Sequence, residues 1–169
     1  MRFSQRTQFR LRPIGIIHTR ASNDEIRAGS RDLRSTIEIY PRFSQGLKGI
    51  DGFSHIFVIC YLNQLRPDQQ GVLHVRPRRF LREGLSLKEL PLVGVFAVNS
   101  PSRPNPIGIT QAQVLQRRGR RIIVKGLDFF DGTPVLDIKP YHPHYNVQRI
   151  RVPEWSSDLE RRAKIARRG

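Results

Sequence analysis

Residues 98–108 form the stretch of this sequence in which proline and polar side chains are most concentrated. Three prolines fall within six positions, and four polar side chains stand among or beside them: Asn99, Ser100, Arg103 and Asn105. Proline fixes φ, removes a backbone donor and pushes the preceding residue toward extended conformations, so the pattern predicts a stiff loop. A stiff loop holds binding groups at little entropic cost. The alternatives are a Pro-rich surface connection and an internal clamp, in which Arg103 binds carbonyls of its own loop.

A single carboxylate, Asp128, follows an apolar run and precedes two phenylalanines. That setting is expected to withdraw the carboxylate from water, and it suits either a general base or a polar contact to a ligand. The alternative is a structural acid that caps the turn predicted at residues 131–132. The two interpretations remain open at this point.

Two further pairs of residues could contact a ligand. Ser54 and His55 open the apolar run of residues 54–62, with a satisfied core histidine as the alternative. Lys139 and Tyr141 place a cation beside an aromatic face on which a nucleobase can stack, with core packing of Tyr141 as the alternative. No histidine pair has metal-ligand spacing with acidic partners, so we predict no metal site.

Basic residues outnumber acidic ones by 30 to 14, which gives a formal charge of +16, and most of the excess is arginine. Forked guanidinium groups fit phosphate oxygens, so we predict a polyanionic partner, with RNA or DNA as the first candidate. Three arginine clusters are predicted phosphate contacts, although any one of them could be a solvated turn: residues 76–79, 117–121 and 161–168.

Other classes of protein are disfavoured by what the sequence lacks. No apolar stretch approaches the roughly 20 residues that span a bilayer, and no basic amphipathic helix has a large apolar face. Cys60 is the one cysteine, so no disulfide can form within the chain, and its apolar neighbours predict a packed core position. We therefore predict a cytoplasmic protein that does not associate with membranes.

Short runs of strand-forming residues alternate with glycine and proline turns. Predicted strands cover residues 9–19, 35–40, 54–62, 72–75, 93–98, 108–116, 121–127 and 134–138. Because closure removes exposed edges, we predict a mostly β protein, built as a single small closed β-barrel with short helices. The run 54–62 is almost continuously apolar, which predicts a strand buried on both faces. One short helix is predicted over 79–90 and another at the C-terminus, where Ser157 and Glu160 have capping-box spacing.

Four segments, taken in order and spacing, resemble a known family: residues 13–19, 46–55, 94–108 and 127–141. Arg-Pro-Asn-Pro-Ile-Gly at 103–108 and Asp-Gly-Thr-Pro-Val-Leu-Asp-Ile-Lys-Pro-Tyr at 131–141 are the most specific of these motifs. They resemble the TsaA-like (TrmO) family of S-adenosylmethionine-dependent tRNA methyltransferases over residues 11–145. The resemblance implies a small β-barrel, methylation of N6 of threonylcarbamoyl-adenosine next to the anticodon, and a homodimer with cofactor sites near the subunit interface.

The same resemblance implies site residues. Those expected to contact the cofactor are Arg27, Ser54, His55, Asn99, Ile109, Lys125, Gly126, Leu127 and Asp128, and those expected near the substrate are Arg103, Asn105, Lys139 and Tyr141. Because the acceptor nitrogen shares its lone pair with a carbonyl, removal of its proton would help, and Asp128 is the first candidate for that base.

Two departures from the family pattern keep other functions open. Many members have arginine where this chain has Asn99, and in the loop 25–30 only Arg27 carries over from the usual cofactor-contacting triplet. The alternatives are a methyltransferase of the same fold with another acceptor, and a basic RNA-binding module without catalysis. The predicted organisation is a basic N-terminal arm at 1–10, a barrel domain at 11–145, and a basic, helical C-terminal extension at 146–169.

Overall fold

The computed structural model describes residues 9–167, and the chain divides into two compact units. The first comprises residues 9–61 and 109–140, and the second comprises residues 62–108 and 141–167. The predicted domain 11–145 therefore contains residues of both units, and the described part of the predicted extension 146–169 falls in the second. Residues 1–8 of the predicted basic arm lie outside the described residues.

Residues 9–167 contain eight strands, and six of them close into a barrel. In chain order they are β1 (Gly15–Thr19), β2 (Arg34–Ile39), β3 (His55–Tyr61), β4 (His74–Val75), β5 (Val93–Gly94), β6 (Ile107–Arg118), β7 (Arg121–Lys125) and β8 (Pro134–Pro140). The barrel is antiparallel and its order is β1-β2-β7-β6-β3-β8, whereas β4 and β5 pair as a separate two-stranded sheet. The predicted closed β-barrel is thus confirmed.

The barrel core is built by alternation along each strand. In β3, Ile56, Val58 and Cys60 are fully buried, whereas the residues between them are partly exposed. The prediction that this strand is buried on both faces is wrong, because a strand in a single-layered antiparallel barrel has one face on the core and one face outward. The predicted core position of Cys60 is correct.

The helices differ more from the predictions. The helix expected over 79–90 is instead two 3-10 helices, Arg78–Glu83 and Leu87–Glu89. Gly84 ends the first of them with φ +92°, a left-handed conformation that stops helical continuation. A short helix that was not predicted, α1 (Asn23–Arg27), begins at a capping box in which the Ser22 backbone N–H donates to Glu25 at 2.7 Å.

The C-terminal helix, α2 (Glu154–Ala166), begins three residues before the predicted cap. Ser157 lies inside it, and its hydroxyl donates to the carbonyl of Glu154 at 2.9 Å, so it does not cap the helix. Within the second unit, α2 packs on the two 3-10 helices through a buried cluster: Phe80, Leu85, Leu90, Leu159 and Ala163. No helix among residues 9–167 is long and apolar enough to cross a membrane.

Ion pairs surround this packed cluster. Arg79 pairs with Glu160, Arg162 with Glu89, and Arg167 with Glu83 at 3.0 Å. Several arginines predicted to bind phosphate in the clusters 76–79 and 161–168 are therefore engaged in holding α2 against its own unit. Arg168 lies outside the described residues.

Candidate functional site

A pocket of about 540 Å³ lies in the first unit. Four segments form its walls: the loop 29–32 before β2, residues 109–111 and Gln113 of β6, the end of β7 with the residues after it (125–128), and His55 on β3. Antiparallel pairing brings these segments together, because Lys125 is opposite Arg34 on one side and Gln113 on the other. The pocket has the size of an ordinary small-molecule site.

A glycine bend positions the carboxylate at this pocket. Gly126 adopts φ +88°, and its N–H donates to the carbonyl of Leu33 at 3.1 Å. After the bend Leu127 enters the core, where it is 2% exposed, and Asp128 stands on the exposed side. The prediction that Asp128 is withdrawn from water is wrong, because its apolar neighbours alternate into the core and leave it outside.

Asp128 is held by its neighbour on β6. The Thr110 hydroxyl donates to Oδ1 of Asp128, and both residues line the pocket. The nearby turn is held by other groups, since the backbone N–H of Thr19 donates to Asp131 at 2.9 Å and the Thr133 hydroxyl donates to the carbonyl of Phe130. Asp128 therefore does not cap that turn, and its functional role stays a prediction.

A second ion pair lies in the pocket wall. The Lys125 ammonium is 2.6 Å from Asp32, and its hydrogen bond and charge lower the pKa of Asp32 below the ordinary value. A ligand carboxylate that binds Lys125 must therefore compete with Asp32. Arg31, in the same loop, has no carboxylate within ion-pair distance among the described residues, so a cation in the wall is still available to an anionic group.

His55 lies on the outward face of β3 and is half-buried in the pocket wall. Ser54 Oγ is 3.0 Å from its Nδ1, and this contact orients the ring. The core-histidine alternative is wrong, because the inward residue at this end of the strand is Ile56. In the part of the chain that the structure describes, no three His, Cys, Asp or Glu side chains are grouped so as to hold a metal ion.

Three residues expected at the site lie in the first unit but do not line the pocket. Arg27 pairs with Asp24 at 3.0 Å and lies over the ring of Phe130. Ser54 reaches the pocket only through His55. Lys139, on β8, pairs with Asp137 at 3.1 Å.

The other expected residues, Asn99, Arg103, Asn105 and Tyr141, belong to the second unit. One guanidinium nitrogen of Arg103 donates to the carbonyls of Val98 and Ser100 in its own loop and to that of Val95 just before the loop, at 2.7–3.3 Å. This is the internal clamp that the sequence left as an alternative. The loop is therefore stiffened by its arginine as well as by its prolines.

Sequence reasoning missed several residues of the pocket wall, chiefly Arg31, Asp32, Thr110, Gln111 and Gln113. Strand alternation was an available signal for the two glutamines, because they flank the buried Ala112 on β6 and so face outward together. No local signal marks Thr110 or Asp32, whose partners lie 18 and 93 residues away.

The model of the tRNA-methyltransferase O N-terminal domain matches residues 27–147. This chain belongs to that family. A probable S-adenosyl-L-methionine-binding protein of Pyrococcus abyssi is 40% identical to it over 146 residues, which is 83% of this chain and 73% of the relative.

Two further relatives extend the comparison. A mouse tRNA (adenine(37)-N6)-methyltransferase is 35% identical over 118 residues, but the match covers 68% of this chain and only 24% of the mouse protein. A crystal structure of TrmO superimposes with a TM-score of 0.66 at 28% identity and covers 88% of this chain and 64% of that chain. The predicted family is confirmed, and this chain spans less than two thirds of these two longer proteins.

Proposed function

We propose that this protein is an S-adenosylmethionine-dependent methyltransferase that methylates an adenine N6 in tRNA. The observation that carries this proposal is the pocket with Thr110 and Asp128 in its wall, in a chain of the tRNA-methyltransferase O family. Relatives named as S-adenosylmethionine-binding proteins and as a tRNA adenine-N6 methyltransferase support the cofactor and the acceptor class.

The pocket residues fit the cofactor chemically. Ile109 is 65% exposed beside the pocket and offers an apolar surface for a nucleobase, while the Asp128 carboxylate can accept hydrogen bonds from hydroxyl or ammonium groups. Arg31 can bind a carboxylate as a forked donor. S-adenosylmethionine would supply a methyl group carried on a sulfonium: the acceptor nitrogen attacks the methyl carbon in line, the methyl–sulfur bond breaks, and the sulfur leaves as a thioether.

The chain's own contribution is alignment and proton removal. His55 and the wall residues 125–127 hold the cofactor in one orientation. The acceptor nitrogen then meets the methyl group in a geometry from which the reaction can proceed. Oδ2 of Asp128 has no hydrogen bond within the described chain, so it can accept the proton of the acceptor nitrogen, while Thr110 holds Oδ1 in place. These roles of Asp128, His55 and residues 125–127 are part of the proposal.

We further propose that the acceptor is N6 of threonylcarbamoyl-adenosine next to the anticodon. One observation favours the second candidate, the same chemistry on another acceptor. The loop 25–30 is partly folded into α1, and Arg27 contacts Asp24 and Phe130 instead of lining the pocket. The departures from the family pattern at Asn99 and in the loop 25–30 favour the same candidate.

The assembly is proposed to be a cytoplasmic homodimer with its cofactor pockets near the subunit interface. The exposed Ile109 supports this arrangement, because an apolar side chain at the pocket mouth gains from being covered. Asn99, Arg103, Asn105, Lys139 and Tyr141 remain proposed substrate or cofactor contacts.

Two measurements test the function. Calorimetric titration with S-adenosylmethionine should show saturable binding, and absence of binding at millimolar cofactor would eliminate both enzyme hypotheses. Mass analysis of nucleosides from tRNA incubated with enzyme and cofactor should show one added methyl group on threonylcarbamoyl-adenosine. Methylation of a different nucleoside would instead establish the second candidate. Cofactor binding with no methylated nucleoside would overturn the tRNA acceptor.

A further inference from the structure

The β6–β7 hairpin end of the barrel is strongly basic. Four hairpin arginines and two cations of the segment after β2 form what we call the hairpin surface: Arg42, Lys48, Arg117, Arg118, Arg120 and Arg121. The backbone N–H of Ile39 donates to the carbonyl of Arg120 at 2.9 Å, and Arg117 reaches Asp51, so both chain segments meet here. Two carboxylates, Glu38 and Asp51, face these six cations.

Internal ion pairs use only part of this charge. Nε and Nη2 of Arg117 donate to the two carboxylate oxygens of Asp51, at 2.7 and 2.6 Å, and this hydrogen bonding lowers the pKa of Asp51. Arg120 and Arg121 share Glu38 at 2.7 and 3.0 Å. One carboxylate cannot neutralise two guanidinium groups, so this network leaves a net positive charge while it fixes the hairpin in place.

Three cations of the hairpin surface have no such partner. Arg42, Lys48 and Arg118 are exposed, and none has a carboxylate within ion-pair distance among residues 9–167. Gly119 forms the tight turn with φ +58° and leaves Arg118 at its tip. The hairpin surface therefore has two parts. The paired arginines are fixed and partly neutralised, whereas the other three cations are available to an external anion.

The pocket end of the barrel has no comparable excess. Five cations there are matched in number by five carboxylates, and of these Arg27 pairs with Asp24 and Lys125 with Asp32. The cations are Arg20, Arg27, Arg31, Arg34 and Lys125, and the carboxylates are Asp24, Glu25, Asp32, Asp128 and Asp131. The two ends are separated along β7 by the residues from Arg121 to Lys125, which is roughly 13 Å at the usual rise of a strand. The excess charge is thus remote from the pocket.

We infer that the hairpin surface binds the sugar-phosphate backbone of tRNA at a place distant from the base being methylated. The identification of the polyanion as tRNA rests on the proposed function. Forked guanidinium donors fit phosphate oxygens. Contacts to the phosphates of tRNA away from the pocket add affinity and fix how the tRNA lies on the protein, without touching the reacting atoms. The paired arginines of the C-terminal cluster are not available for such contacts, because carboxylates of their own unit neutralise them.

The test compares two charge-matched double variants. Arg42→Gln/Arg118→Gln removes available cations of the hairpin surface, and Arg20→Gln/Arg34→Gln removes the same charge at the pocket end. Binding of fluorescently labelled, transcribed tRNA is measured by anisotropy over a series of KCl concentrations. The hairpin variant should weaken binding about tenfold, and its salt slope should fall by roughly 0.7 to 0.9 per lost phosphate contact. The control should change binding less than about twofold.

Equal losses in both variants, or no loss in the hairpin variant, would overturn the inference. So would a hairpin variant that keeps tRNA binding but loses binding to polyglutamate, since the partner would then be an acidic protein. Circular dichroism of each variant shows whether it is folded. Titration with S-adenosylmethionine tests the proposed function separately from tRNA binding. If the wild-type protein binds no S-adenosylmethionine, the function fails while the comparison of tRNA affinities still decides the inference.

Discussion

The contact between Thr110 and Asp128 joins β6 to the segment that follows β7, and the second carboxylate oxygen of Asp128 has no hydrogen bond among the described residues. An exposed acid is a weak base by itself, and it becomes useful only where a substrate covers it and removes water. If Asp128 is the proposed base, it therefore acts only in the complex with substrate. The residue can equally bind the cofactor, and the two roles predict different kinetics.

Asp128→Asn separates these roles. If Asp128 is the base, the rate of methyl transfer at saturating substrates falls by about 10²-fold or more, while the dissociation constant of S-adenosylmethionine changes little. Single-turnover kinetics and calorimetry measure the two quantities. Thr110→Val should give a smaller loss of rate, and Thr110→Ser should recover it. A parallel loss of binding and rate in Asp128→Asn would identify a cofactor ligand.

Cys60 shows what full burial does to a titratable group. Burial raises the pKa of its thiol to about 12, and the nearby charge of Asp128 adds to the increase. The folded state therefore keeps a proton that the unfolded state loses above the ordinary value of 9.0. Stability from this group is complete below about pH 9 and falls as the pH rises toward 12.

This linkage predicts a pH-dependent difference between wild type and Cys60→Ala. The variant loses stability by a constant amount through its cavity. Above pH 9 the wild type should lose stability increasingly steeply, at up to about 1.4 kcal/mol per pH unit near pH 10–11, and the variant should not show this loss. Urea unfolding followed by far-UV circular dichroism measures both. If the free energies of unfolding of the two proteins change in parallel with pH, the Cys60 thiol is not the cause of the loss.

At the scale of the element, the close approach of β1 and β2 depends on a glycine. A Cβ on Gly15 would collide with the carbonyl oxygen of Glu38 and would lie 3.1 Å from Ile39. Because the first obstacle is backbone, it cannot rotate away. Pairing of Gly15 with Ile39 begins the β1–β2 ladder, so this glycine is required for one seam of the barrel.

Gly15→Ala should therefore destabilise the barrel by about 1–3 kcal/mol, through a shift of β1 away from β2. The matched control is Gly46→Ala, where no atom lies within 4 Å of an added Cβ, and it should change stability by about 0.5 kcal/mol or less. Urea midpoints measured by far-UV circular dichroism decide the comparison. Equal midpoints for the two variants would contradict the steric account.

Elements also differ in how well their sequences predict them. The strands were found because side chains alternate with period two, as in Arg34–Ile39, and the barrel followed from many short strands. One helix is predicted over 79–90, but Gly84 ends the first of two 3-10 helices there. The start of α2 was misplaced because Ser157 has the residue type of a cap, while Pro153 holds that position.

At the scale of the whole molecule, the proposed homodimer can be tested by the side chain expected at the interface. Sedimentation equilibrium should give a mass twice that of one chain. Ile109→Lys should shift the mass toward a single chain, because a charge on a covered apolar site is costly. Ile165→Lys is the control, since Ile109 and Ile165 are both 65% exposed and Ile165 lies on α2. A monomeric wild type would contradict the proposal.

The candidate site was predictable in part. His55, Ile109 and residues 125–128 follow from the family resemblance, and the structure places them in one pocket wall. Their functional roles remain predictions. Asp32 and Thr110 could not be found, because they enter the wall through contacts set by strand register, which no short stretch of sequence encodes.

The charge of +16, the alternating strands and the stiff 98–108 loop were all determined by the sequence itself, since each depends on composition or on neighbours along the chain. Which arginines are available to a partner was decided only by the tertiary structure. Arg117 meets Asp51 from 66 residues away, and Arg121 meets Glu38 from 83 residues away. The physical reason is that an ion pair requires approach within a few ångströms, and only closure of the barrel in its register brings those side chains together.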